Sequence, residues 1–514
     1  MQARRQAGEA QHMRQGRAAR MAARKAGANA LNPAPPGCPG GRYAPLAEAD
    51  KRAILDAALR LLDELGMGGA PARLIAAATA RGARQNGLGR LCFPPAMIED
   101  IIAGACRSFV LHGREARHDI AIGGTRVHFG TGGAAVQTRD PDSGRYRPST
   151  LRDLYDFARL ADRLPNVSWF TRCCVATDLS DPFELDINTA YALLRGTRKP
   201  VGTSFFRGAH VAPVIEMFDL ALGGAGRFRA RPCLQAHVSP VVSPMRFGED
   251  AVEVTEACIA CGVPINAIIA AQAGATAPAV PAGFLAQSLA ETLAALAMVN
   301  ILSPGHPVIF SNWALVIDLR SGAFAGGGSE SALLNAASAQ LSNWLGLPSG
   351  VAAAMSDAKA VDAQMGVEKA LSTLAAGLAG ANMVYESAGM MASLLGASFE
   401  AFVLDDEMLG QVHRMIRGIE VDEATLDLEG IRAAVLGEGH FLGSPQTLAA
   451  MQRDYLYPAL ADRAPPATWA EQGARDSLAR ARERVRQLLG EADPGYLAPD
   501  CDAAIRARFP IRLP

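Results

Sequence analysis

From residue 150 onward, the chain alternates regularly between two kinds of apolar segment. Segments with apolar residues at helical spacing are 150–164, 186–196, 211–223, 249–262, 281–302, 330–346 and 361–380. Short apolar runs that predict strands are 167–176, 201–206, 233–239, 266–271, 308–311, 350–354 and 382–386. Parallel strands need a helix to return the chain to the same edge of the sheet, and so many units favour closure. The pattern predicts the α/β class and a (β/α)8 TIM barrel.

The regions on either side of this core carry patterns of their own. Helical spacing predicts helices over 49–66 and 94–106, and alternating residues with glycines over 119–147 predict a short β-meander. The chain becomes acidic and helical after Asp405 and ends in a predicted charged helix over 474–489. The candidates for an eighth barrel strand are the runs 127–136 and 402–404.

The start of the chain differs in composition from the rest. The first thirty residues are rich in arginine, which predicts a disordered basic tail, with a docking arm or a targeting segment as alternatives. The Pro/Gly segment 32–43 predicts a linker or a wrapping arm. The predicted organisation is a tail and linker at 1–40, N-terminal helices and β-meander packed on the barrel at 41–148, the barrel core at 149–405 and a C-terminal helical appendage at 406–514.

Composition limits the compartment and the partners. The 514 residues carry a formal net charge of −1, so no overall field favours nucleic acid or an anionic membrane. The longest apolar stretches, 265–271 and 294–302, are shorter than the roughly 20 residues that span a bilayer. Nine cysteines at low density fit a reducing compartment. We expect a cytoplasmic protein without nucleic-acid or membrane partners, and a homo-oligomer stays open.

The common cofactor and metal motifs are missing from the sequence. The glycine runs 130–133, 223–226 and 322–328 match neither GxxxxGK[ST] nor GxGxxG, so a bound nucleotide is not expected. HExxH and GxSxG do not occur. Cys258 and Cys261 form a CxxC without a second ligand pair, which favours packing over metal or redox chemistry. We expect no metal site and no tightly bound cofactor.

Active-site groups of such a barrel come from the loops after the carboxyl ends of the strands. Trp313 follows one predicted strand, and Tyr385 and Glu386 end another. Aromatic faces attract a quaternary ammonium ion without hydrogen bonds, and an acid balances its charge. A Trp in this place is otherwise a core residue or a rim anchor. Both interpretations stay open, and Glu386 is a candidate catalytic group.

Other polar residues near strand ends are further candidates. Asp357 lies in the densest polar cluster, which is either a helix N-terminus capped by Ser356 or Asp357 or part of a substrate mouth. His237 is either a structural histidine or a general acid or base. The remaining candidates for substrate binding are Phe206, Asn312, Glu330 and Gln364.

Several spaced segments are similar to a known family. They are GGRYAPL at 40–46, FGTGGAAVQTRDPDSGRYRPSTLRDLYDFARLADRLPNV at 129–167, KPVGTS, SPVVSPMRFG, AGATAPAVPAG, SPGHPVIF, SDAKAVDAQMGVEKA, LDDEMLGQVHRMIRGIEVDEATLD and GHFLGSPQT. With them, the chain resembles the trimethylamine methyltransferase superfamily from about residue 40 to the C-terminal region. The resemblance implies a barrel methyltransferase that moves a methyl group from a tertiary or quaternary amine to cob(I)alamin on a partner corrinoid protein.

One departure from the family bears on the substrate. The methylamine-using founders carry pyrrolysine, and this sequence contains no pyrrolysine letter. The chain therefore resembles the glycine betaine methyltransferases and their relatives, which act on quaternary amines. In that interpretation Trp313, Tyr385 and Phe206 form a cage, and Glu386, Asp357 or Glu330 balances the charge. The rival hypotheses are another barrel enzyme, such as a lyase or a metal-dependent hydrolase, and a non-catalytic binder of quaternary amines.

Overall fold

The computed structural model describes residues 32–492 and 495–514. Within these residues, one parallel sheet has eight strands. They are His128–Phe129 (β1), Phe170–Thr171 (β2), Val201–Thr203 (β3), Leu234–Val238 (β4), Ile265–Ile269 (β5), Val308–Asn312 (β6), Ser349–Ala352 (β7) and Met383–Tyr385 (β8). The helices that follow them in turn are Leu151–Arg163 (α1), Pro182–Gly196 (α2), Val211–Ala221 (α3), Glu249–Cys261 (α4), Pro281–Leu302 (α5), Ser329–Trp344 (α6), Ala363–Ala379 (α7) and Phe399–Arg417 (α8).

The sheet closes on itself between β1 and β2. The strand order is β1-β8-β7-β6-β5-β4-β3-β2. Gly130, directly after β1, pairs in parallel with Trp169, directly before β2. The Ser168 amide also donates a hydrogen bond to the Phe129 carbonyl at 2.8 Å. The predicted (β/α)8 barrel is confirmed. Its remaining strand is the candidate in 127–136, whereas 402–404 lies inside α8.

Both faces of the barrel sheet are buried, which explains why largely apolar strands alternate with helices along the chain. All residues of β4, β5 and β6 are buried, because helices cover the outside and side chains fill the inside. Local caps set the helix ends: the Thr150 hydroxyl accepts from the Asp153 amide before α1, and Gly380 ends α7 in the left-handed conformation. Each strand and helix predicted from residue 150 to residue 386 overlaps an observed element, so these predictions are confirmed.

A β-hairpin covers the amino-terminal end of the barrel. Its strands, Ser108–Leu111 and Ile120–Gly123, pair antiparallel. Apolar side chains of the hairpin pack with Ile309 and Met383 in one buried cluster. Asn382, which precedes β8, donates to backbone carbonyls just after the hairpin at 2.9 and 3.0 Å. The hairpin therefore closes the amino-terminal end of the barrel. The loops that follow the strands lie at the opposite, carboxyl end.

The segment predicted as a β-meander gives strands to more than one sheet. One part belongs to the hairpin, and another is β1. A third part, Gln137–Arg139, pairs with Tyr146–Pro148 and with Gly396–Ser398, which in turn pairs with Met390–Met391. These partners lie far apart in sequence, so local periodicity could not show them. Because the strands come from the loops after β1 and β8, this small sheet lies at the carboxyl end of the barrel.

Further short elements surround the barrel. The N-terminal helices are Glu48–Arg60, Leu61–Leu65 (a π-helix), Ala72–Thr79 and Pro95–Gly104, with a ladder of Arg84–Gln85 and Leu91–Cys92 between them. The other short strands are Val241–Val242, Arg246–Phe247, Gln272–Ala273 and Leu315–Val316, and the other short helices are Ala116–His118, Gly208–His210 and Arg227–Ala230. The predicted helices at 49–66 and 94–106 are confirmed.

Helix α5 meets the length and hydropathy of a membrane span. It has 22 residues, and 83% of its apolar 18-residue stretch is buried inside the protein. The helix packs on β5, β6 and several N-terminal helices. The central helix of a large core has the same composition, so this single helix among the described residues is weak evidence for a membrane protein.

The Pro/Gly segment before the first helix lies against the barrel. The Gly37 amide donates to the Val127 carbonyl and the Gly41 amide to the Leu378 carbonyl, each at 2.8 Å. Of the two interpretations of residues 32–43, this geometry favours the wrapping arm. The predicted basic tail at 1–31 lies outside the described residues.

The C-terminal region packs around the barrel helices. Ser477–Gly490 lies against α1 and α8, close to the predicted helix at 474–489, and Pro499–Arg508 packs on α3. The helices between are Glu423–Leu426, Leu428–Leu436, Pro445–Arg453 and Pro466–Glu471. Several large apolar side chains of this intermediate region are exposed, among them Ile419, Val421, Leu436 and Leu442.

The closure of the barrel predicts a strong effect of one added methyl group. A Cβ atom at Gly130 would lie 2.1 Å from the indole ring of Trp169. Gly130→Ala should therefore lower the free energy of unfolding by about 1–3 kcal/mol through overpacking. Urea unfolding followed by far-UV circular dichroism measures the change.

The matched control is Gly366→Ala in the first turns of α7, where an added Cβ meets no atom within 4 Å. This variant should be neutral or slightly stabilising. Equal stability of Gly130→Ala and the wild type would contradict the described contact.

Candidate active site

Four aromatic side chains meet inside the barrel. The ring of Tyr385, at the end of β8, lies 4.5 Å from Trp169, 5.2 Å from Trp313 and 5.3 Å from His237, measured between centroids. The Tyr385 hydroxyl donates to the Gln235 side chain at 3.2 Å. All these side chains are buried. The structure thus brings together three residues predicted from the sequence, Trp313, Tyr385 and His237, and we call these four side chains the aromatic cluster.

Glu386 comes directly after Tyr385 of the aromatic cluster in the chain, and its side chain is fully buried. Its backbone has a positive φ of 66°, a conformation that costs energy in a residue with a side chain. Its carboxylate lies against the loop after β1, where a Cβ on Gly132 or Gly133 would come within 2.8 and 2.5 Å of its oxygens. Those two glycines therefore leave the room that the carboxylate occupies.

Neither carboxylate oxygen of Glu386 has a hydrogen-bond partner among the described residues. Burial raises the pKa of Glu386 to about 8, and the positive charge of Lys369 opposes this shift. A buried carboxyl group without a partner is rare in a folded protein, because its ionised form is strongly disfavoured there. A nearby cation would favour the ionised form of this carboxyl group by balancing its charge.

Lys369 and Asp405 form a buried ion pair next to this region. Lys369 Nζ donates to Asp405 Oδ2 at 2.9 Å, and the same oxygen accepts from the Gly389 amide at 2.7 Å. Burial raises the pKa of Asp405. The pair joins α7, α8 and the loop after β8, and so it fixes the loop that contains Glu386.

His237 lies in β4 with its ring toward the inside of the barrel. Its Nε2 is 3.3 Å from the Thr171 hydroxyl. Burial, and then the positive charge of Arg172, lowers the pKa of His237 to about 3. The imidazole is therefore neutral at pH 7, which favours a packing or hydrogen-bonding role over that of a proton donor.

Other polar atoms inside the barrel also lack partners. Among the described residues, these buried atoms are Trp169 Nε1, Gln235 Nε2, Asn266 Nδ2 and Trp313 Nε1. Buried polar groups normally have hydrogen-bond partners. Together with Glu386, they give the barrel interior unused donors and one acidic group, as in a site for a small polar molecule.

Asp357 connects two loops at the carboxyl end of the barrel. Its carboxylate accepts from the amides of Gly326 and Gly327 at 2.9 and 3.1 Å and from the Ser393 hydroxyl at 2.8 Å. The prediction that Ser356 or Asp357 caps the next helix is wrong. Asp362 is the N-cap of α7. The residues from Asp357 to Asp362 form a loop after β7, so the helix begins later than predicted. The contacts of Asp357 indicate a positioning role.

The other predicted site residues lie apart from the aromatic cluster. Phe206 is 54% exposed. Glu330 and Gln364 are exposed in the first turns of α6 and α7, where Gln364 donates to Glu368. Asn312 points outward and donates to Ser288 on α5 at 3.0 Å. The structure therefore does not bring these residues together with Glu386.

Sequence reasoning missed Trp169 and Gln235. The predicted site residues follow strand ends, whereas Trp169 precedes the observed β2 and Gln235 lies within β4. A usable signal was present in β4, since Gln235 and His237 are two residues apart and share one face of a strand. Polar residues on alternate positions of an otherwise apolar strand point into the barrel.

Within residues 32–492 and 495–514, the cysteines and the possible metal ligands form no second site. Cys258 is buried and Cys261 half-buried on α4, and both are free thiols. Burial raises the pKa of both thiols. In the described part of the chain, no group of three or more His, Cys, Asp or Glu is arranged to hold a metal ion.

The protein is a (β/α)8 barrel whose interior holds a buried acid and a cluster of aromatic side chains. A family model described as trimethylamine methyltransferase (MTTB) matches residues 13–512. The chain belongs to the trimethylamine methyltransferase family and is a methyltransferase. The lyase, the hydrolase and the non-catalytic binder therefore no longer stand as rival hypotheses.

The sequences of several named methyltransferases are similar to this chain over most of its length. A glycine betaine methyltransferase of Desulfitobacterium hafniense (strain Y51) is 28% identical over 471 residues, which cover 91% of this chain and 96% of the relative. A trimethylamine methyltransferase MttB of the same species (strain DSM 10664 / DCB-2) is 30% identical, covering 80% and 82%. The MttB of Methanosarcina thermophila is 30% identical, covering 77% and 82%.

The buried acid predicts an unusual dependence of stability on pH. The pKa of Glu386 rises from 4.5 to about 8 on folding, so between these values the unfolded chain binds fewer protons than the folded one. Stability should fall as the pH rises through this window. Glu386→Gln should remove this loss and gain about 2–4 kcal/mol over the wild type at pH 9. Urea unfolding at pH 5, 7 and 9 measures the difference.

Glu330→Gln, at an exposed acid, is the matched control and should change stability by less than about 0.5 kcal/mol at each pH. Parallel pH profiles for Glu386→Gln and the wild type would show that Glu386 is not an isolated buried acid.

Proposed function

We propose that this methyltransferase moves a methyl group from a quaternary, betaine-like amine, or from a tertiary methylated amine, to cob(I)alamin on a partner corrinoid protein. The observation that carries the proposal is the unpartnered carboxyl group of Glu386, which follows Tyr385 of the aromatic cluster in the chain and whose charge acts on the pKa of that tyrosine. A cation with apolar methyl groups fits aromatic faces and an acid better than it fits a hydrogen-bonding site.

The chain's own residues would bind and orient the amine. The faces of Trp169, Tyr385 and Trp313 contact the methyl groups, and Glu386 balances the positive nitrogen. When a methyl group leaves, the C–N electron pair stays on nitrogen, so the quaternary cation becomes a neutral amine. Because this nitrogen is already positive, it needs no proton from the protein to leave, in agreement with the neutral His237.

Cob(I)alamin enters this proposal as a second substrate carried by the partner and supplies the nucleophile. We therefore expect no cobalamin bound tightly by this chain. The absence of a pyrrolysine letter favours a quaternary substrate over trimethylamine. The names of the relatives include both glycine betaine and trimethylamine. We further propose a cytoplasmic location, and a homo-oligomer stays a prediction.

A turnover assay tests the proposal. The purified protein is incubated with free cob(I)alamin, kept reduced, and with glycine betaine, choline, tetramethylammonium or trimethylamine in turn. Chromatography of the demethylated amine should show turnover of at least one quaternary compound. Trp313→Ala should lower kcat/KM about tenfold or more, since the cation loses one ring face. The proposal fails if none of the four amines is demethylated.

Trp313→Phe is the matched control for this assay. It keeps a ring face at the same position and should retain kcat/KM within about threefold. If Trp313→Phe and Trp313→Ala lose equal activity, the ring face is not what the substrate uses.

Cation binding should be linked to proton release. The pKa of Glu386 is raised to about 8, so a cation must compete with the proton of this group at pH 6 or 7. The affinity for a quaternary amine should rise up to about tenfold per pH unit from pH 6 to pH 8 and then level off. Calorimetry with glycine betaine in buffers of different ionisation enthalpy measures both the affinity and the protons released.

Glu386→Gln should bind the same amine more weakly and without this pH dependence. A variant that keeps the wild-type pH profile would show that another group titrates.

A further inference from the structure

Arg172 lies at the carboxyl end of β2, directly after Thr171. Its amide donates to the Gly202 carbonyl at 3.4 Å, and its guanidinium donates to the Ser204 hydroxyl at 3.3 Å. The guanidinium is therefore held between the ends of β2 and β3, at the end of the barrel where the substrate would enter.

No carboxylate among the described residues lies within ion-pairing distance of Arg172. The charge of Asp186 acts on Arg172 from a distance, and the Asp186 carboxylate already accepts from the Phe206 amide at 2.9 Å and from His210 Nδ1 at 2.6 Å. Arg172 thus keeps a positive charge that the protein does not neutralise by direct contact.

The surroundings of Arg172 disfavour such a charge. Its side chain is half-buried, and burial lowers its pKa. A guanidinium has five N–H donors in a planar fork that matches a carboxylate with two parallel hydrogen bonds. The contact with the Ser204 hydroxyl uses only one donor, and it is long for a charged hydrogen bond. The other guanidinium N–H donors of Arg172 have no hydrogen-bond partner among the described residues, so they are free to bind a ligand or water.

The position of Arg172 links it to the aromatic cluster. The hydroxyl of Thr171 lies 3.3 Å from His237 Nε2, and the His237 ring lies 5.3 Å from that of Tyr385. The charge of Arg172 also contributes to the lowered pKa of His237. Arg172 therefore lies near enough to the aromatic cluster for its charge to act on one of the cluster's side chains.

We propose that Arg172 and Ser204 form an anion subsite that binds the carboxylate of a zwitterionic quaternary amine. The trimethylammonium end of the same molecule occupies the aromatic cluster beside Glu386. This inference rests on the proposed function and narrows it, because it selects betaines over amines without an acidic group. Arg172 is thus a specificity-determining residue.

Calorimetry with four trimethylammonium compounds tests the subsite. Glycine betaine and γ-butyrobetaine carry a carboxylate at different distances, whereas choline and tetramethylammonium carry none. The wild type should bind the better betaine about 30-fold or more tightly than choline. Arg172→Ala should remove most of this preference and leave the affinity for choline within about threefold.

Further variants separate recognition from folding. Arg172→Lys keeps the charge without the planar fork and should be intermediate. Guanidinium ion at millimolar concentration should restore part of the betaine binding of Arg172→Ala, which a purely structural role would not explain. Arg207→Ala, at an exposed arginine of the loop after β3, is the matched control and should behave as the wild type.

The outcomes distinguish the two proposals. Equal binding of betaines, choline and tetramethylammonium by the wild type would overturn the anion subsite and leave the quaternary-amine function intact. An Arg172→Ala variant that still prefers betaines would also overturn the subsite. If none of the four compounds binds, the quaternary-amine function itself fails.

Discussion

The indole of Trp169 lies against the backbone of Gly130 where β1 and β2 meet and the barrel closes. β1 has only two residues, so the seam also depends on this close contact and on hydrogen bonds of neighbouring residues. The Ser168 amide donates to the Phe129 carbonyl, and the Thr131 hydroxyl accepts from the Thr171 amide. The same indole packs edge-on against Tyr385 at 4.5 Å. One side chain therefore closes the sheet and forms a wall of the candidate site, and the geometry of the site depends on the closure of the barrel.

The burial of Glu386 lowers the stability of the folded protein. A buried carboxyl group with a positive φ and no hydrogen-bond partner reduces stability, and the large apolar core around it has to compensate. Buried acids with a strongly raised pKa are found most often at functional sites. The aromatic cluster excludes water from the same region, so a charge on Glu386 would act on a cation more strongly than at the surface.

The loops at the mouth are held by acids whose roles are structural. Asp357 joins the loop before α6 to the segment after β8, while Asp405 and Lys369 fix Gly389 from the helix layer. These contacts position the segment after β8 that begins with Glu386, but none of them is a hydrogen bond to Glu386 itself. Arg172 differs from them, because it is a charged group at the mouth without an acid in direct contact. The acids therefore complete the scaffold, and the arginine remains available to a ligand.

The sequence by itself determined the barrel. Apolar runs separated by helical segments leave few other arrangements, because each parallel crossover needs a helix, and strand ends gave Trp313, Tyr385, Glu386 and His237. It could not choose between the runs 127–136 and 402–404 for the eighth strand, since a two-residue strand has no periodicity, and it could not show that Trp169 and Gln235 face Tyr385. Phe206, Asn312, Glu330 and Gln364 were also chosen from position alone. Only the tertiary structure decided which strand-end side chains face inward, because the direction of a side chain at a loop depends on contacts distant in sequence.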